Sequence, residues 1–146
     1  MQVVLDIITN KCIYVPFLLW CVVQMYKVIT DLVKNKKLNI KRLVGAGGMP
    51  SSHAAVVCSL ASCVGKQYGF GSGEFAIAII MACIVMYDAA GVRRAAGKQA
   101  RVLNKILETP GLTTGEVGEK LVELLGHTPI QVFVGAILGF AVGAIV

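Results

Sequence analysis

The chain has 146 residues, of which 56% are hydrophobic and 15% charged, and its mean hydropathy is +0.74. That length supports one domain at most, and a small water-soluble domain of this composition would not stay in solution. The formal charge of +6 calls for an anionic partner. A membrane surface fits, whereas nucleic acid does not, because the chain has neither zinc-ligand spacing nor interleaved basic and aromatic residues.

Residues 13–29 form a first apolar segment, long enough to cross a bilayer with tilt. Gln24 and Lys27 lie near its end on the face that also carries Trp20; the lysine either snorkels to the surface or serves a polar site. A basic surface loop follows from Asp31, with Lys34, Lys36, Lys37, Lys41 and Arg42. Next comes Gly45-Ala46-Gly47-Gly48-Met49-Pro50-Ser51-Ser52-His53. Its glycines let backbone N–H groups converge on an anion, and Ser51 or Ser52 caps a helix whose positive end faces the loop. That helix, 52–68, is rich in Ala, Ser, Cys and Gly, a composition suited to the middle of a bundle.

After a glycine-rich turn at 69–73, residues 75–91 form a third span, closing on Asp88 and the pair Arg93-Arg94. An acid at a membrane boundary marks a functional site by default, unless it simply pairs with an arginine. A basic helix with Lys98, Arg101 and Lys105 ends at Pro110-Gly111, and Thr113 with Glu116 offers a capping box for a short helix up to Leu125. Gly126 stops it, His127 follows, and Thr128-Pro129 gives an N-cap and a proline at the first helical position of the last span, 130–146. Gly135, Gly139 and Gly143 line one face of that span, allowing close helix contact within the chain or between copies.

The expected architecture is therefore all-α: a single membrane domain, 1–146, of about four transmembrane helices plus short amphipathic helices. Cys12, Cys21, Cys58, Cys63 and Cys83 form no C-x-x-C pair and read as apolar packing residues, and the N-terminus lacks the pattern of a removed signal peptide. Six basic residues follow span one (Lys27 to Arg42) and six follow span three (Arg93 to Lys120), leaving only Lys11 and Lys66 for the other side. That asymmetry puts loops 30–50 and 92–128 in the cytoplasm and both termini outside a cell membrane. It also gathers Lys27, His53, Asp88, the arginines and His127 at one boundary.

Two histidines, a helix N-terminus and several cations suit phosphoryl transfer without metal or cofactor. One imidazole attacks phosphorus, the other protonates the leaving oxygen, and a carboxylate orients the nucleophile. Asp88 is the candidate for that last role and Glu123 the runner-up. Gly47, Gly48, Ser51, Ser52, Lys27, Arg93, Arg94 and Lys98 are the candidate phosphate ligands.

The ordered motifs G-G-M-P-S-S-H-A, Y-D-A-A-G-V-R-R-A-A-G-K-Q-A and L-G-H-T-P-I-Q-V resemble the divergent branch of the phosphatidic acid phosphatase type 2 superfamily, which is related to acid phosphatases and vanadium-dependent haloperoxidases. The resemblance runs over nearly the whole chain. It implies an integral-membrane, metal-independent enzyme acting on a lipid phosphate or diphosphate. Pro50-Ser51-Ser52-His53 is similar to the motif P-S-G-H, in which the histidine is the general acid, with Ser52 where glycine is usual. The third superfamily motif, S-R with His after five residues and Asp after three more, is not intact: Gln99 stands six after Arg93. His127 then supplies the nucleophile from a separate helix, and Gln131 stands where its Asp would be. The Lys and Arg-Pro of the first motif are equally loose here, since no proline follows Arg42. The leading expectation is a phosphatase acting on phosphatidate, phosphatidylglycerophosphate or a prenyl diphosphate through a phosphohistidine. The alternatives are a non-catalytic lipid-phosphate binder or transporter and a small structural subunit. A homodimer, with the glycine face as its interface, is also expected.

Overall fold

A computed structural model describes residues 1–36, 48–108, 121, 123 and 126–146. The basic stretch Lys37 to Arg42, Gly45 to Gly47, the Pro110-Gly111 stop, the Thr113–Glu116 capping box and Lys120 lie outside these residues. Among the described residues six helices follow in order: α1 (Gln2–Thr9), α2 (Lys11–Asn35), α3 (Ser52–Tyr68), α4 (Gly73–Ala90), α5 (Val92–Leu107) and α6 (Pro129–Ile145). No strand occurs among the described residues.

Local chemistry sets the ends of these helices. Asn10 caps α2 by accepting from the Cys12 N–H at 2.9 Å, and Ser72 caps α4 by accepting from the Phe75 N–H at 3.1 Å. α2 is longer than the apolar segment in it, since no Gly or Pro interrupts 30–35 and the Asn35 amide reaches the Asp31 carboxylate one turn back at 3.0 Å. The stretch expected to be loop from Asp31 is therefore helical as far as Asn35, and Lys36, at φ 51°, ends the helix. α1 was not legible as an element: its residues are all exposed.

α3 lies in the middle, packed by α6, α4 and α2. Its inward residues are small, including Ala54, Ala55, Cys58, Ser59, Ala61 and Ser62. The glycine stripe of α6 lies against it. A Cβ at Gly135 would collide with the Ser51 carbonyl, one at Gly139 with the Ala55 carbonyl, and one at Gly143 with the Ser59 carbonyl. The stripe is thus used inside the chain, and a homodimer loses the interface expected for it. On α4 the buried residues are Ala78, Ala82 and Ala89, while Ile77, Ile80 and Ile84 are each at least 60% exposed. An outward isoleucine face of this kind is stable in lipid and a liability in water.

Two helical stretches, Lys11–Asn35 and the near-continuous Gly73–Leu107, are long and apolar enough to cross a membrane, and α6 is a shorter apolar helix. The cations separate along the bundle. Lys11 and Lys66 donate to the Val146 and Ala144 carbonyls at the C-terminal end of α6, at 3.3 and 2.9 Å, while His127 precedes its N-terminal end.

The α3–α6 contact makes a testable demand. Gly139→Leu is expected to destabilise the protein by on the order of 3 kcal/mol, because the obstructing atoms belong to backbone. Gly71→Ala, whose added methyl meets nothing, should leave the midpoint unchanged. Thermal unfolding of the detergent-solubilised proteins compares the two, and equal midpoints would contradict this packing.

Candidate functional site

Two helix N-termini are bound to each other. Ser51 is extended (φ −68°, ψ 116°) and caps α3 by accepting from the Ala54 N–H at 3.4 Å. Thr128 caps α6 by accepting from the Gln131 N–H at 3.4 Å, and the Gln131 Oε1 accepts in return from the Thr128 N–H at 3.1 Å. This is a capping box, followed by Pro129 at the first helical position. The Ser51 N–H then donates to the Gln131 carbonyl at 3.0 Å, tying one helix start to the other. On the far side, the His127 N–H donates to the Ala89 carbonyl of α4 at 2.8 Å. Gly126, at φ 86°, lies against the Arg93–Arg94 backbone, where any Cβ would strike the Arg94 nitrogen.

These ties bring the His53 and His127 rings to 5.8 Å between centroids at 66°. Nδ1 of His53 and Nε2 of His127 are both buried without a hydrogen-bond partner. His127 is 2% exposed, and its Nδ1 lies 3.3 Å from the Gln131 Oε1. Burial holds the His127 pKa below the ordinary histidine range, and the Lys27 charge adds to this; the Gln131 contact and the Gly48 backbone act the other way. The ring is therefore neutral at pH 7.

Lys27 does not snorkel. It is 4% exposed, and its Nζ donates to the Ser52 Oγ at 2.8 Å, while the Ser52 hydroxyl donates to the Gln24 Oε1 at 3.2 Å. The inward face of α2 is the one carrying Leu19, Val23 and Lys27, with Trp20 at its exposed edge. Ser52, in the place where glycine is usual in the resembling motif, thus holds a buried cation beside the two rings.

The other candidates fall into two groups. Asp88 and Arg93 pair with each other at 2.5 Å, partly exposed, and Lys27, Arg93 and Asp88 are the charges whose fields reach the His53 ring. The group at the His127 Nδ1 is thus Gln131, not Asp88, which takes the arginine pairing weighed as its alternative. Glu123 accepts from Arg101 at 3.3 Å and from Asn104 at 2.9 Å. Arg94 and Lys98 are exposed on α5, and Gly47 lies outside the described residues. Gly48, at φ 82°, takes a left-handed conformation beside the site. It also lines a groove of about 520 Å³ between α2 and α6, together with Lys27, Lys34, Val22, Tyr26 and Leu138. Among the described residues no three His, Cys, Asp or Glu side chains converge as a metal site requires. Gln131 is the residue that sequence reasoning passed over as a missing aspartate; its signal was the S/T-x-x-Q pattern of a capping box.

The electrostatics give a prediction with a definite sign. Because the folded His127 pKa lies below the unfolded value of about 6.5, its neutral form contributes stability that is complete above that pH. The contribution declines as pH falls through the lowered folded value. Lys27→Met removes one of the three effects that lower it, the others being burial and the neighbouring His53, so His127 should titrate at higher pH in the variant, read from its ring proton by NMR. An unchanged titration would show that the Lys27 charge does not reach the ring.

The chain is 41% identical over 127 residues, 80% of each chain, to the uncharacterized membrane protein YuiD of Bacillus subtilis (strain 168). No solved structure matches it. Residues 8–142, nearly the whole chain, match the family described as Divergent PAP2, and the protein belongs to that family.

Proposed function

We propose that this protein is a membrane lipid phosphate phosphatase that hydrolyses a phosphomonoester or diphosphate, such as phosphatidate, phosphatidylglycerophosphate or a prenyl diphosphate. The observation that carries the proposal is the facing pair of imidazoles, each with one buried, unpartnered ring nitrogen, beside the buried ammonium of Lys27. Membership of the Divergent PAP2 family supports it.

In this reading the His127 Nε2 lone pair attacks phosphorus and the bond from phosphorus to the ester oxygen breaks. Protonated His53 gives its proton to the departing oxygen. Neutral His53 then takes a proton from water as that water attacks the phosphohistidine, releasing inorganic phosphate and restoring both rings. Lys27, Gly48, the N-terminal N–H groups of α3 beside Ser51 and Ser52, and Arg93 in its pairing with Asp88 stabilise the phosphoryl oxygens. Gly47, Arg94 and Lys98 remain proposed outer ligands. The apolar wall of the α2–α6 groove, which meets the site at Lys27 and Gly48, suits the hydrocarbon chain of such a substrate.

The proposed setting is a multi-pass cell-membrane protein in which α2, α3, α4 and α6 cross as one domain. Both termini lie outside, and the two histidines sit at the cytoplasmic boundary. A second reading, a non-catalytic lipid-phosphate binder or transporter, draws support from the uncharged amide at His127 where a carboxylate would favour the imidazolium. Phosphate release by purified protein in detergent micelles with chelator, from a panel of lipid phosphates, separates the two. The expected outcome is release by wild type, with a loss of at least about a hundredfold in His127→Ala and in His53→Ala. Binding without release would favour the second reading, and full activity in either variant would overturn the mechanism.

A further inference from the structure

The capping box of α6 has a chemical consequence for the ring next to it. We propose that Gln131 acts as a positioning residue that fixes the tautomer of His127, placing the ring proton on Nδ1 and leaving Nε2 with a free lone pair. The Thr128 N–H can only donate. It lies 3.1 Å from the outer end of the Gln131 side chain, so the atom there is the carbonyl oxygen and not the amide nitrogen. That same oxygen lies 3.3 Å from the His127 Nδ1. An amide oxygen carries no hydrogen, so in this contact Nδ1 is the donor. A neutral imidazole protonated on Nδ1 is unprotonated on Nε2, and the hydrogen bond at one nitrogen decides the state of the other.

The geometry allows little escape from this assignment. Rotating the amide by half a turn would set an NH₂ group against the Thr128 N–H and break the capping box. The His127 backbone is held by Ala89, so the ring cannot withdraw with its own main chain. The Gly48 backbone also acts on the ring, in the sense that favours protonation, yet Nε2 has no partner of hydrogen-bond geometry. Gln131 thus does two of the three things a carboxylate at this position would do: it orients the ring and selects its tautomer. It does not supply the negative charge that would stabilise an imidazolium. The ring is prepared as a neutral nucleophile by a residue whose first structural duty is to cap a helix.

This inference rests on the proposed role of His127, but its test does not depend on activity. ¹⁵N-detected NMR of histidine-labelled protein in micelles reads the two ring nitrogens directly. In wild type at neutral pH, Nδ1 should be protonated and Nε2 bare; an Nε2–H ring would overturn the inference and hand control to the Gly48 backbone. In Gln131→Leu the ring should shift toward the Nε2–H form that free histidine side chains favour. An unchanged tautomer in a folded Gln131→Leu protein would also overturn the inference. Because that variant loses half of the capping box, Gln131→Glu serves as the second: glutamate can keep the cap. It should retain the Nδ1–H tautomer while His127, still facing Lys27 and His53, titrates at higher pH. Loss of the Nδ1–H form in that variant would count against the proposal. If the tautomers behave as stated and no lipid phosphate is turned over, the positioning role stands and only the proposed enzymatic reading fails.

Discussion

The site depends on the seam between α3 and α6, where three glycines let two backbones touch. Ordinary side chains would hold the helices 8–10 Å apart, and the two N-termini would no longer share a hydrogen bond. With Gly135, Gly139 and Gly143 against the carbonyls of α3, the Ser51 N–H reaches the Gln131 carbonyl. The register of that seam alone decides that the first turn of α3 faces the residue preceding α6. The facing histidines are its result, although 74 positions separate them in sequence (127 − 53).

Around that seam the charges are arranged in two ways. Asp88 and Arg93 neutralise each other in a partly exposed setting, where an ion pair contributes little to stability. Lys27 is buried and donates to the Ser52 hydroxyl, and its positive field lowers the His127 pKa.

Much of this was legible in the chain because short-range signals carry it. Ser51 and Thr128-Pro129 announce helix starts, the small residues of 52–68 announce a central helix, and the two histidines fall beside those starts. Other features depend on what lies across the gap. Whether Lys27 points in or out depends on which face of α2 is covered, and the apolar periodicity of a membrane helix is too weak to say; the buried face proved to be that of Leu19 and Val23. The glycine stripe fits a partner helix from the same chain or from another, and sequence does not choose between them. Asp88 was the natural partner for His127 by charge, but an arginine five residues on claimed it, and an amide four residues beyond His127 took the place. The polar end of α2 looks like a loop in composition and continues as helix, because composition records solvent contact and not backbone geometry.

The groove between α2 and α6 opens on the outer faces of those helices, where Val22 and Tyr26 are exposed. A ligand entering there would arrive by diffusion within the leaflet and never need to leave it. Its effective concentration would be a mole fraction of the surrounding lipid, insensitive to its vanishing aqueous solubility. If the proposed reaction takes place there, diluting the membrane with inert lipid would slow turnover as surely as removing substrate, while adding water would change nothing.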